Sequence, residues 1–109
     1  MDWQSRKTGG RIIGEPKGRV DETTWEQFSA HLTGAVREAR DAGLPLVIDL
    51  KGLDYMSSRG LRALTIAKRE AGDAVPITLA GPNERMREIL AISRYDKLFK
   101  IVDDIGSDG

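Results

Sequence analysis

The stretch Leu44-Pro45-Leu46-Val47-Ile48-Asp49-Leu50 constrains this chain more than any other. Its apolar residues run too continuously for a strand wet on one face, so it reads as a strand buried on both sides, as in parallel sheets. A parallel neighbour must be reached by a crossover, usually a helix. The sequence supplies such crossovers in turn. A helix is predicted from about Ser58 to Ala71, with Leu61, Leu64 and Ala67 inward, Lys68 and Arg69 in its last turn, and Gly72 as its stop. Val75 to Ala80 is a second short apolar strand. Gly81-Pro82-Asn83 opens a further helix, with Met86, Ile89, Leu90 and Ser93 on one face. Leu98, Phe99 and Ile101 add an edge strand or a short docking segment. Strand, helix, strand, helix in this order implies right-handed parallel units.

The first half reads differently. Trp3 to Thr8 and Arg11 to Pro16 suit two short strands joined at Gly9-Gly10, with Pro16 and Gly18 ending the second. Apolar residues at Trp25, Phe28, Leu32, Val36 and Ala39 then recur at the spacing of one helical face. Thr23 and Glu26 match a capping box before this helix, and Gly43 ends it. The expected fold class is therefore α/β. A small mixed sheet of about four strands, opened by an antiparallel hairpin and continued by parallel strands, has helices packed on it. Residues 1–109 are expected to form a single domain, with a loose tail over 103–109.

Composition excludes several classes of function. Seventeen basic and seventeen acidic residues cancel, which removes the usual reason to expect nucleic acid or an anionic membrane as partner. No cysteine is present, so disulfide and thiolate chemistry are absent. No apolar run approaches the roughly 20 residues needed to span a bilayer, and the N-terminus has no apolar signal region. A cytoplasmic protein is the expectation. The lone histidine, His31, lies in the first helix one residue before the inward Leu32, without a nucleophile motif or a spaced ligand cluster. Gly9 to Gly14 begins like a phosphate loop, but Glu15 stands where the lysine is needed. Asp103-Asp104 reads as solvating charge. No enzyme activity, metal or cofactor is expected.

What remains is the connection from the buried strand to the following helix, Asp49 to Arg62, the place where open α/β sheets put their sites. Ser57 and Ser58 lie at the helix N-terminus. A serine there suits N-capping, contributing about 1 kcal/mol. One serine would be enough for that, and capping does not account for Met56 and Arg59, both expected to be exposed. The alternative is phosphorylation. A phosphate on Ser58 would add about −1.5 to −2 charges, which the helix dipole and free N–H groups tolerate. The fold would be spared and any partner docked there would be lost.

Leu46 to Leu64, taken whole, resembles the signature of STAS domains, the sulfate-transporter and anti-sigma factor antagonist family. Gly18-Arg19-Val20-Asp21 is similar to the family's segment before its first helix. Ile77 to Pro82 and Leu90 to Phe99 match its later strand and helix. The resemblance covers roughly residues 10 to 102 and implies a four-stranded sheet. It also implies partner switching: the unphosphorylated antagonist binds an anti-sigma factor that is also a serine protein kinase, phosphorylation breaks the complex, and a metal-dependent serine phosphatase of the PP2C type restores it. The family's phosphoacceptor maps onto Ser58, with Ser57 as the alternative. Family patterns read D-S-S-G or S-S-A-G here, so Ser57 replaces an aspartate and Arg59 replaces a small residue. Asp21 maps near the same surface, although alone it also suits an N-cap. Asp21, Met56, Ser57, Ser58, Arg59 and Arg62 are the expected partner-binding residues.

Three functions compete. The leading one is an anti-sigma factor antagonist acting by partner switching. The second is a non-switching STAS subunit of a larger assembly, such as a lipid-transport ATPase complex. The third is a small-ligand or nucleotide sensor using the helix N-terminus as an anion site.

Overall fold

A computed structural model describes residues 1–107 of the chain. Strand β1 (Asp2–Thr8) turns at Gly9-Gly10, both at positive φ (62° and 75°), and returns antiparallel as β2 (Arg11–Val20). Two consecutive left-handed residues are what a two-residue hairpin needs, and glycine adopts them without strain. Helix α1 (Trp25–Ala42) follows, then β3 (Leu46–Asp49), β4 (Leu53–Met56) and helix α2 (Ser58–Ala71). Strand β5 (Ile77–Ala80), helix α3 (Glu84–Ile92) and β6 (Lys100–Val102) complete the regular elements.

The strands form one sheet in the order β1-β2-β3-β5-β6, with β4 pairing to β2. Apart from the hairpin, the pairings are parallel. The α/β class and the hairpin-then-parallel pattern are as expected, but the sheet has six strands rather than about four. Two strands make up the difference: β6, the edge strand that Leu98 to Ile101 allowed for, and β4, which the sequence did not signal. β4 lies beside the far end of β2, whose first half borders β3 at Ile12 to Gly14 and whose last residues, Gly18 to Val20, border β4. β2 accordingly does not stop at Pro16. That proline falls in the gap between the two parallel neighbours, where no ladder bond is required on that side. A register shift between Gly18 and Arg19 re-aims the strand toward β4.

Residues of the described helices and one face of the sheet build a single core, including Phe28, Leu32, Leu46, Ile48, Leu64, Leu79, Met86 and Leu90. Ile13, Val47 and Ala80 project to the other face, where Val102 and Ile105 pack on them. Leu46, Val47 and Ile48 are thus buried in succession, as the apolar run requires. Within the tail expected over 103–109, a short 3-10 turn spans Ile105–Ser107, and Asp103 pairs with Arg87 at 3.1 Å. Residues 108 and 109 lie outside the described residues.

The capping box expected at Thr23 and Glu26 is not formed. Thr24 occupies the cap position of α1, and Asp21 organises the turn ahead of it. The Asp21 carboxylate accepts hydrogen bonds from the Thr23 N–H (3.0 Å) and hydroxyl (2.8 Å). The Thr24 hydroxyl accepts from the Asp21 N–H at 2.9 Å and donates to the Arg19 carbonyl at 2.8 Å. An aspartate two residues before a threonine can make such a turn through its own side chain, and it competes with the box for the same donors. No described helix is long and apolar enough to cross a membrane.

Candidate functional site

The end of β4 and the start of α2 are fixed by backbone bonds and by one glycine. The Ser57 N–H donates to the Val20 carbonyl at 2.8 Å, and the Leu61 N–H donates to the Ser57 carbonyl at 3.0 Å, opening the helix. A Cβ on Gly60 would lie 2.4 Å from Met56 Cγ and 2.7 Å from Val20 Cγ1. Only glycine lets the first turn of α2 sit this close to β2 and β4. The N–H groups of Ser58, Arg59 and Gly60 therefore open a helix held rigidly on the sheet, in the position where no intrahelical acceptor exists.

Ser57 takes the cap position, with φ −77° and ψ 174°, yet its side chain caps nothing. Its Oγ is buried and has no hydrogen-bond partner among the described residues. Ser58 is the first residue of the helix and is exposed. Stabilisation by a serine cap is therefore absent here, and the two serines differ: Ser57 is partly buried and Ser58 faces solvent.

Met56 is a correction. It was expected to be exposed on the binding surface, but it is 2% exposed and belongs to the core. As the last residue of β4 it turns inward beneath Gly60, so it can support the site but cannot touch a partner. Of the other expected residues, Ser57 is partly buried with its Oγ out of reach of solvent, and the rest lie at the surface. Asp21 is half-buried in the turn before α1, and Ser58, Arg59 and Arg62 are exposed along the first turns of α2.

Ser58, Arg59 and Arg62 share one groove between α1 and α2, of about 610 Å³, with Trp25, Ser29 and Ile66. The Arg59 guanidinium lies 5.2 Å from the centre of the Trp25 ring and pairs with Glu22 at 3.2 Å. Arg19 pairs with Asp21 at 3.5 Å and lies 5.0 Å from the centre of the Tyr55 ring. The Thr23 hydroxyl and N–H, together with the Thr24 hydroxyl and the charge of Arg19, hold the Asp21 carboxyl below the usual carboxylate range, against a smaller opposing effect of burial. Asp21 thus carries its charge beside the site. Ser29, Glu22 and Ile66 were not singled out from the sequence, and Trp25 was read there only as part of the inward face of the first helix. Ile66 had a visible signal, since it is a large apolar residue out of phase with Leu61, Leu64 and Ala67, and it is 38% exposed.

His31 is exposed and stacks on Trp3, ring centres 5.2 Å apart, away from the groove. Among the described residues, no group of histidine, aspartate and glutamate side chains gathers to hold a metal ion.

Comparison with known proteins gives matches in sequence and in fold. A family model described as STAS domain matches residues 2–107. A STAS-domain containing protein of Pseudomonas aeruginosa is 39% identical over 96 residues, which cover 85% of this chain and 89% of that protein. BtrV of Bordetella bronchiseptica, named as a candidate anti-sigma factor antagonist, is 31% identical over 98 residues, covering 89% of this chain and 82% of that one. Among solved structures, the Bacillus cell fate determinant SpoIIAA in its phosphorylated form superposes with a TM-score of 0.65 at 20% identity, covering 92% of this chain and 90% of that chain. At that identity the likeness is one of fold.

Proposed function

The chain belongs to the STAS domain family, and from that premise we propose that it is an anti-sigma factor antagonist acting by partner switching, with Ser58 as the switching residue. In its unmodified form it binds an anti-sigma factor that is also a serine kinase, through Asp21, Ser57, Ser58, Arg59 and Arg62. Phosphorylation of Ser58 breaks that complex, and a PP2C-type phosphatase restores it.

The observation that carries this reading is the separation of roles at the start of α2. Met56, Gly60 and Val20 hold the helix on the sheet from beneath, while Ser58 points away from that packing into an exposed groove. A dianion there alters the surface and leaves the core contacts untouched. It meets the positive end of the helix, where negative charge is favourable. A partner packed into the groove would have to desolvate that charge, which is costly without pairing.

The test is affinity capture from a lysate of the source cells with wild-type and Ser58→Glu protein. The expected result is a kinase-like ATPase that Ser58→Glu fails to retain, with affinity lowered more than about tenfold, or 1.4 kcal/mol, and the melting temperature nearly unchanged. Phosphorylation by that kinase should disappear in Ser58→Ala. A transporter ATPase held equally by both proteins would instead support a non-switching subunit. Normal phosphorylation of Ser58→Ala would move the acceptor elsewhere; Ser57, the alternative acceptor, would first have to bring its buried Oγ to the surface.

A further inference from the structure

The charges on α2 are placed against the helix dipole. Its first turn holds no acidic residue, whereas α1 has Glu26 and α3 has Glu84 there. Arg59 lies in that turn and Arg62 just beyond it, where positive charge is repelled by the helix N-terminus. Along the whole helix, Arg59, Arg62, Lys68 and Arg69 face a single acid, Glu70, in a chain whose net charge is zero. Sequences break a local rule in this way mainly where function asks for it. Arg59 shares its charge with Glu22, an exposed pair of the kind that contributes little. No carboxylate among the described residues is paired with Arg62.

Ser58 and Arg62 are four residues apart on one helix and line the same groove. An anion at one position with a cation four residues toward the C-terminus is the favourable orientation for a helical pair. A guanidinium also presents paired donors matched to phosphate oxygens. We infer that Arg62 is an intramolecular receptor for the phosphate on Ser58, with Arg59, drawn from Glu22, as a second ligand. This inference rests on the phosphorylation of Ser58 proposed above. It adds a second consequence to that modification. The phosphate not only introduces charge and bulk, it also occupies the two arginines that the unmodified surface offers to a partner.

The charged groups facing the groove are Arg59 and Arg62 from α2 and Glu22, held on Arg59, from the loop before α1. α1 itself contributes Trp25 and Ser29. The test uses the full chain with phosphoserine incorporated at position 58, titrated by phosphorus NMR. This makes it independent of which kinase acts and of whether one acts in the cell. In the otherwise wild-type protein the second ionisation of the phosphate should lie below its ordinary value of about 6. Arg62→Gln should raise it by roughly half a unit, Arg62→Lys by less, and Arg59→Gln by less than Arg62→Gln. Arg69→Gln, on the same helix but three turns from Ser58, should leave it unchanged. Circular dichroism establishes that each variant is folded, and Arg59, Arg62 and Arg69 are all exposed. Equal values in wild type and Arg62→Gln would overturn the inference. So would a shift in Arg69→Gln as large as that in Arg62→Gln, because a diffuse field and not a clamp would then be acting. If the titration succeeds while the capture experiment shows no switching, the clamp stands and the partner-switching reading fails.

Discussion

Helices α2 and α3 both follow a strand of the same sheet, but they begin in opposite ways. At α3, Asn83 takes the cap position and its side-chain oxygen accepts the Met86 N–H at 2.8 Å. Its amide group donates to the Leu53 carbonyl at 3.3 Å, and Glu84 sits in the first turn, favourable to the dipole. At α2, Ser57 has the backbone geometry of a cap but no side-chain bond, and cations replace the acid. One helix start is closed by its own sequence. The other has no side-chain cap, and its position is secured from below by the contact of Gly60 with Met56 and Val20. Stability at the second has been moved from the cap to the packing.

This contrast can be broken by chemical denaturation of single variants, taken from the largest effect down. Gly60→Ala forces a Cβ into Met56 and Val20, and overpacking of this kind should cost about 1–3 kcal/mol. Asn83→Ala removes a working cap and should cost about 1 kcal/mol. Ser57→Ala removes a hydroxyl that bonds to nothing, so it should change stability by less than about 0.5 kcal/mol or raise it slightly. A cost for Ser57→Ala equal to that for Asn83→Ala would erase the distinction between the two helices. The smallest effect concerns Asp21, which orders the turn beside α2. Because its native carboxyl ionises at lower pH than in the unfolded chain, the unfolded state binds more protons in that window, and stability rises with pH. The advantage of wild type over Asp21→Asn should be constant above about pH 5 and shrink as pH falls below about 4. A pH-independent difference would mean that the charge of Asp21 contributes nothing to the turn.

Much of this architecture was legible in the sequence. The bounds of α2 and the stops of α1 and α2 at Gly43 and Gly72 follow from periodicity and termination signals that act locally. The buried run at β3 is equally direct. β4 was missed because Leu53-Asp54-Tyr55-Met56 lacks an apolar run, and its pairing partner is the far end of β2, more than thirty residues earlier. That same omission misplaced Met56: a residue taken for part of a loop is expected outside, whereas the end of a strand beneath a helix turns inward. β2 passes Pro16 because its neighbours on one side change there, which no local signal announces. At the site, Ser58, Arg59 and Arg62 were visible as one helix terminus. The groove also needs Trp25 and Ser29 from α1, and only the packing of the two helices brings them there.

The most direct measurement is a binding titration of the captured partner with two forms of the full chain, unmodified and carrying phosphoserine at position 58, alongside their melting curves. The expected result is at least a tenfold loss of affinity with a melting temperature unchanged or slightly raised. That combination would mean that the open start of α2 accepts a dianion and releases its partner. Equal affinity in the two forms, or loss of binding accompanied by unfolding, would contradict it.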